Sequence, residues 1–166
     1  MAWDVDSLVD RILSGNEESS VDDKGRVVIG KDNRENLGDS FFMGLDKEGC
    51  AVIYPRETVK QILLEIQQSP VLNEGREEYA QMWAEALHRK LSCDSQGRLT
   101  IPAKLRHAAG IKDRVVLVGA IDRILVWPKA DYEAQRAISA TKSDERQQRM
   151  REAYKRMVEG ANDSRA

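Results

Sequence analysis

The chain has 166 residues, of which 33% are charged and 41% hydrophobic, and its formal net charge is −2. That balance argues against indiscriminate polyanion binding and leaves any charged contact to local patches. No apolar run approaches the roughly 20 residues needed to cross a bilayer, and Cys50 and Cys93 show no Cys-x-x-Cys spacing that would suggest a disulfide framework or a zinc site. The opening Met1-Ala2-Trp3-Asp4-Val5-Asp6 is acidic and lacks the basic start and apolar run of a secretion signal, so the expected location is the cytoplasm.

In chain order, residues 4–14 read as a short amphipathic helix, with Val5, Leu8, Val9, Ile12 and Leu13 on one face and Gly15 as its stop. Residues 16–20 read as a polar linker. Val27-Val28-Ile29 is a β-branched run after a Lys-Gly turn, and 40–45 and 51–54 are two further strands joined by the hairpin turn Asp46-Lys47-Glu48-Gly49. Helical spacing follows over 57–68, is broken at Ser69-Pro70, and resumes from Asn73 or Glu74 with Tyr79, Met82, Trp83, Ala86 and Leu87. The second half predicts a strand over 99–101, a short helix from Pro102 to His107, strands over 114–118 and 124–127, and a charged helix over 131–157, with a frayed tail over 160–166.

The two halves repeat one text. Asp22-Asp23-Lys24-Gly25-Arg26-Val27-Val28-Ile29 returns 72 residues later as Asp94-Ser95-Gln96-Gly97-Arg98-Leu99-Thr100-Ile101. Arg34 and Arg106 follow the shared arginines at equal distance, and Ala51-Val52-Ile53-Tyr54-Pro55 is echoed by Ile124-Leu125-Val126-Trp127-Pro128 at an offset of 73. A period this long marks two copies of one small β-rich unit. A unit of about 50 residues is marginal alone, so the copies are expected to share a core. Pairing into one closed barrel would remove exposed edges.

These motifs resemble the SpoVT/AbrB-type DNA-binding domain, a swapped-hairpin barrel. The carrying residues are the two Asp-x-x-Gly-Arg turns and the longer Gly97-Arg98-Leu99-Thr100-Ile101-Pro102-Ala103-Lys104-Leu105-Arg106 run. Two copies in one chain, followed by helices, resemble the MraZ family over roughly 21–155. The resemblance implies an α+β fold: 1–20 as N-terminal helix and linker, 21–68 and 93–138 as the repeats, 69–92 as a connecting helix, and 139–166 as C-terminal helix and tail. It implies a non-enzymatic transcriptional regulator that binds repeated promoter elements of a division and cell-wall gene cluster. Its partners would be double-stranded DNA and further copies of itself in a ring-like homo-oligomer, with no membrane, cofactor, metal or small-molecule substrate, and its location the nucleoid. Gly30 stands where the pattern has Pro, so the first short helix is expected to be loose or absent.

The residue chemistry is compatible with that reading. Arg26 and Arg98 offer bidentate forks for phosphate or guanine. Lys24, Lys104, Arg34 and Arg106 offer phosphate contacts, and the latter two equally suit pairing with carboxylates in their own repeat. Asp22, Gly25, Asp94 and Gly97 are read as turn-forming, with each arginine pairing across the barrel as the structural alternative. Segments 94–106 and 22–34 carry local balances of +2 and +1. His88 and His107 are too scattered for a metal or catalytic site, and no phosphate loop or nucleophile set is present. The rival readings are a non-DNA scaffold or interaction module, and an AbrB-like antitoxin.

Overall fold

The computed structural model describes residues 4–138 and 143–163. The chain divides into two compact units, 1–129 and 130–166. The first contains α1 (Val5–Asp10), β1 (Asn16–Ser20), β2 (Arg26–Val28), α2 (Lys31–Leu37), β3 (Phe41–Leu45), β4 (Ala51–Pro55), α3 (Arg56–Gln68), α4 (Glu74–Ala86), β5 (His88–Leu91), β6 (Arg98–Thr100), α5 (Ala103–Ala108), β7 (Arg114–Gly119) and β8 (Ile124–Pro128). Then come α6 (Lys129–Ile138) and α7 (Ser143–Asp163). The fold is α+β, as the sequence implied.

The main sheet is antiparallel with strand order β1-β7-β8-β4-β3-β5, and β2 and β6 form a separate two-stranded ribbon. The order is a palindrome of the repeat. β1 and β5 occupy matching positions in the two halves, and each pairs with a strand of the other half, β7 and β3 respectively. At the centre β4 pairs with its counterpart β8. The two halves therefore interlock, and neither keeps its first strand to itself.

β4 shows why the halves share a core. All five of its residues are buried, and the first four alternate between two clusters. Ala51 and Ile53 join Val27, Ile29, Leu99, Ile101, Leu37 and Leu105, so the ribbon and the two short helices cover that face. Val52 and Tyr54 face the opposite way with Val59, Ile62 and Trp83, under α3 and α4. The Trp83 ring lies 5.5 Å from Tyr54 and 6.3 Å from Tyr79. Burial pushes the Tyr54 phenol up to about 12, and among the described residues its hydroxyl has no hydrogen-bond partner.

Several expectations are corrected here. The sheet is not closed: among the described residues β1 and β5 are its edges, and β2 and β6 pair only with each other. At one edge, β5 is interrupted by a register shift and by the left-handed backbone of Lys90 (φ 59°), which limits its pairing to Phe41 and Met43. Residues 16–20 are a strand rather than a linker, because their backbone completes the β7 edge. Residues 88–91 leave the helical run to form β5. The helix after Gly30 is formed, with the Gly30 amide donating to Glu17 Oε2 at 2.9 Å. The tail is helical to Asp163, and 164–166 lie outside the described residues.

The N-terminal helix is shorter than the 4–14 expected: it ends at Asp10, and Leu13 is buried in a β-bridge instead, exchanging two backbone hydrogen bonds with Ile121 at 2.9 and 2.8 Å. Asn33 and Asn36 fasten the same segment through the Ser14 and Ile12 carbonyls. In the second unit, the Arg136 guanidinium lies 5.1 Å from the Tyr132 ring centre, and α7 exposes Met150, Tyr154 and Met157 along its length.

Candidate nucleic-acid interface

Each Asp-x-x-Gly-Arg segment is a tight turn closed by its own aspartate. Asp22 Oδ1 accepts from the Lys24 and Arg26 amides at 3.0 and 2.8 Å, and Oδ2 accepts from Arg26 Nε at 2.6 Å. Asp94 repeats the pattern with the Gln96 and Arg98 amides, both at 2.9 Å, and with Arg98 Nε at 2.7 Å. Each arginine thus pairs inside its own turn, not across a barrel. These donors, the Arg26 and Arg98 backbone amides first, hold both carboxyls below the ordinary aspartate range. Each aspartate engages the Nε of its arginine, and both arginine side chains stay partly exposed.

Gly25 and Gly97 take φ of +77°, a conformation L-residues with a side chain rarely adopt. Close approach reinforces the requirement. A Cβ on Gly25 would overlap the Arg106 guanidinium, and one on Gly97 would overlap that of Arg34. Each of these arginines therefore lies over the other half's turn. Both are anchored at home: Arg34 donates to the Ile29 carbonyl at 3.1 Å and Arg106 to the Ile101 carbonyl at 3.0 Å. Among the described residues, neither is seen paired with a carboxylate of its own repeat. The glycine carbonyls complete the lock by accepting from the Ile101 and Ile29 amides at 2.9 and 3.0 Å.

The ribbon between the turns has two faces. Val27 and Leu99 sit opposite each other and are buried. Arg26 faces Thr100 and Val28 faces Arg98 on the other side, where Val28 and Thr100 are exposed and the arginines half-buried. The two arginines that lie far apart in sequence are thus diagonal neighbours on one outward surface. Lys24 is exposed at the first turn. Lys104 is placed elsewhere: it lines a groove with Leu45, Met82, Glu85 and His88, against α4. The ribbon partners Val28 and Thr100 were not singled out from sequence, although strand alternation from Arg26 and Arg98 already puts them on the same face.

A family model for MraZ, described as antitoxin-like, matches residues 84–153. A protein of Lachnoclostridium phytofermentans named transcriptional regulator MraZ is 30% identical over 123 residues, 74% of this chain and 86% of that one. The chain belongs to the MraZ family. Further MraZ relatives bear the same regulator name: one from a Thermoanaerobacter species is 32% identical over 74% of this chain and 85% of its own, and one from Cutibacterium acnes is 33% identical over 72% and 83%. The two turns differ in their middle residues: the first has Asp23 and Lys24 where the second has Ser95 and Gln96, so only the first presents a cation at that position. The flanks also differ. Glu17 holds the start of α2, while Glu18 binds Arg114 and Lys129 and has its carboxyl lowered, chiefly by Lys129.

Proposed function

We propose that this protein is a transcriptional regulator that binds double-stranded DNA through the outward face of the β2–β6 ribbon. The observation that carries the reading is the convergence of Arg26 and Arg98 on that face, each aligned by its turn aspartate. A two-stranded ribbon fits a major groove, and an arginine fork matches guanine O6 and N7. Diagonal positions on an antiparallel pair lie about 7–8 Å apart, close to two steps of about 3.4 Å along a DNA strand. Val28 and the Thr100 methyl supply apolar contact for thymine. Lys24 supplies a phosphate contact, with Arg34 and Arg106 as supports behind the turns.

The two halves, 21–68 and 93–138, act in this reading as SpoVT/AbrB-type repeats that make one binding surface jointly. The resemblance extends the proposal to repeated promoter elements of a division and cell-wall gene cluster, engaged by a ring-like homo-oligomer in the nucleoid. One ribbon binds weakly, and several ribbons on one particle raise affinity through effective concentration. Such multivalency reconciles DNA binding with a net charge of −2.

The test is fluorescence anisotropy on the protein's own upstream promoter DNA across a salt series. Wild type is expected to bind with a steep salt dependence, and Arg26→Ala/Arg98→Ala to lose binding while keeping its oligomeric state. Equal, weak binding by both proteins would shift the reading to a scaffold that acts through its helices.

A further inference from the structure

Within the described residues of the first unit, two surfaces carry exposed apolar side chains. One is α1. It has no buried residue, Val5 and Val9 are 70% and 62% exposed one turn apart, and Ile12, just beyond the helix, is 37% exposed, although the segment is fastened at Leu13. Its charge is acidic: Asp4, Asp6 and Asp10 are all exposed. The other surface is a groove of about 360 Å³ along α3, floored by Phe42 and lined by Arg56, Val59, Lys60, Leu63, Leu64 and Gln67. These α3 residues recur at the spacing of one helix face, and Leu63 is 52% exposed. The two charged side chains in the groove, Arg56 and Lys60, are both cationic and exposed, and neither acidic residue of α3, Glu57 or Glu65, lines it.

We propose that α1 of one copy, together with Ile12 just beyond it, docks into the α3 groove of a second copy, with Val5 and Val9 on the apolar floor and Asp6 and Asp10 against Lys60 and Arg56. The complementarity is twofold. An amphipathic helix laid in an apolar groove anchors through side chains one turn apart, as Val5 and Val9 are on α1, and the acidic Asp6 and Asp10 meet a groove whose charged side chains are basic. The contact joins different patches on the two copies. Such heterologous interfaces propagate head to tail and close into a ring when the rotation allows. The inference rests on the self-association part of the reading above and not on DNA contact; it supplies the joint that such an assembly needs.

The experiment uses two full-length chains with differently sized tags, both carrying Cys50→Ser and Cys93→Ser, one with Val9→Cys and the other with Leu63→Cys. Both new positions are exposed, so folding is expected to survive and is checked by circular dichroism. Co-expressed and treated with a short bis-maleimide, the pair is expected to give the mixed interchain product. Arg56→Glu/Lys60→Glu should reduce the yield roughly tenfold or more, since like charges face each other, and Asp6→Lys/Asp10→Lys on the partner should restore it. Absence of the mixed product overturns the inference. So does a chain carrying both cysteines that yields only an intrachain product, which places α1 on its own groove, and so does an equal yield with the charge-reversed groove. Light scattering on the same samples separates the outcomes: a multimer without the cross-link keeps the self-association reading and removes this joint, and a monomer removes both.

Discussion

The two Asp-x-x-Gly-Arg turns have the same internal geometry and different surroundings. Within the turns, carboxylate, amide and guanidinium distances agree to about 0.1 Å. Outside them, the first turn carries Lys24 and is followed by Gly30, whose amide is bound by Glu17; the second carries Gln96 and is followed by Pro102, which has no amide to bind. The turn itself is fixed by non-local packing, because each glycine sits beneath an arginine from the other half. The flanks are free to differ, because each start of a short helix needs only one solution to its first amide: a carboxylate acceptor or a proline.

The largest effect that would break this symmetry is at DNA. Arg26→Ala and Arg98→Ala should each weaken specific binding by about 1–3 kcal/mol, roughly 5- to 150-fold, measured by anisotropy at fixed salt. A loss confined to one of them would mean that only one turn reads DNA. Next comes the glycine lock. Gly25→Ala and Gly97→Ala should each destabilise by about 1–2 kcal/mol in urea melts, from the left-handed backbone alone. Gly97 should be the worse site, because a Cβ there would also lie 3.3 Å from the Ile29 carbonyl.

A smaller effect sharpens the contrast in flanks. Gly30 already has φ −59°, which suits proline. Gly30→Pro alone removes the amide bound by Glu17 and crowds that carboxylate, so no gain in stability is expected. In a Glu17→Ala background the same change should stabilise by about 0.4–1 kcal/mol, through the unfolded chain. A double-mutant cycle in thermal melts reads the difference. The smallest effect is at the turn tips: Lys24→Gln should flatten the salt slope by about 0.9 per ribbon engaged, and Gln96→Lys should steepen it equally.

Acid tests both turns together. Asp22 and Asp94 have native pKa values below the ordinary carboxylate value of about 3.9. Their contribution is therefore complete above pH 4 and is lost as pH falls through the lower native values. Amide exchange at Arg26 and Arg98 should accelerate together in that window, and Asp22→Asn should remove the dependence at Arg26 alone.

Most of the elements were legible in the sequence because the repeat writes them twice. The strand–short helix–strand–turn–strand order and the α+β class follow from apolar runs bounded by Gly and Pro. β1 and β5 were not legible from pattern. Asn16-Glu17-Glu18-Ser19-Ser20 buries only Ser19, and His88-Arg89-Lys90-Leu91 is charged, as edge strands that avoid further pairing tend to be. The repeat offset was the usable signal, since it places 88–92 on 16–20. The open sheet was not legible either, since closure depends on whether edge strands meet in space. In the candidate site, the pairing of β2 with β6 and the crossing of Arg34 and Arg106 to the opposite turns are contacts between halves that spacing within one half does not encode.

The most direct test of the account is photocross-linking of promoter DNA carrying a photoreactive base to the full-length protein, with the joined peptide located by mass spectrometry. The account predicts cross-links on 26–28 and 98–100. Cross-links confined to Arg146, Arg149, Arg151, Lys155 and Arg156 of α7, with none on the ribbon, would contradict it.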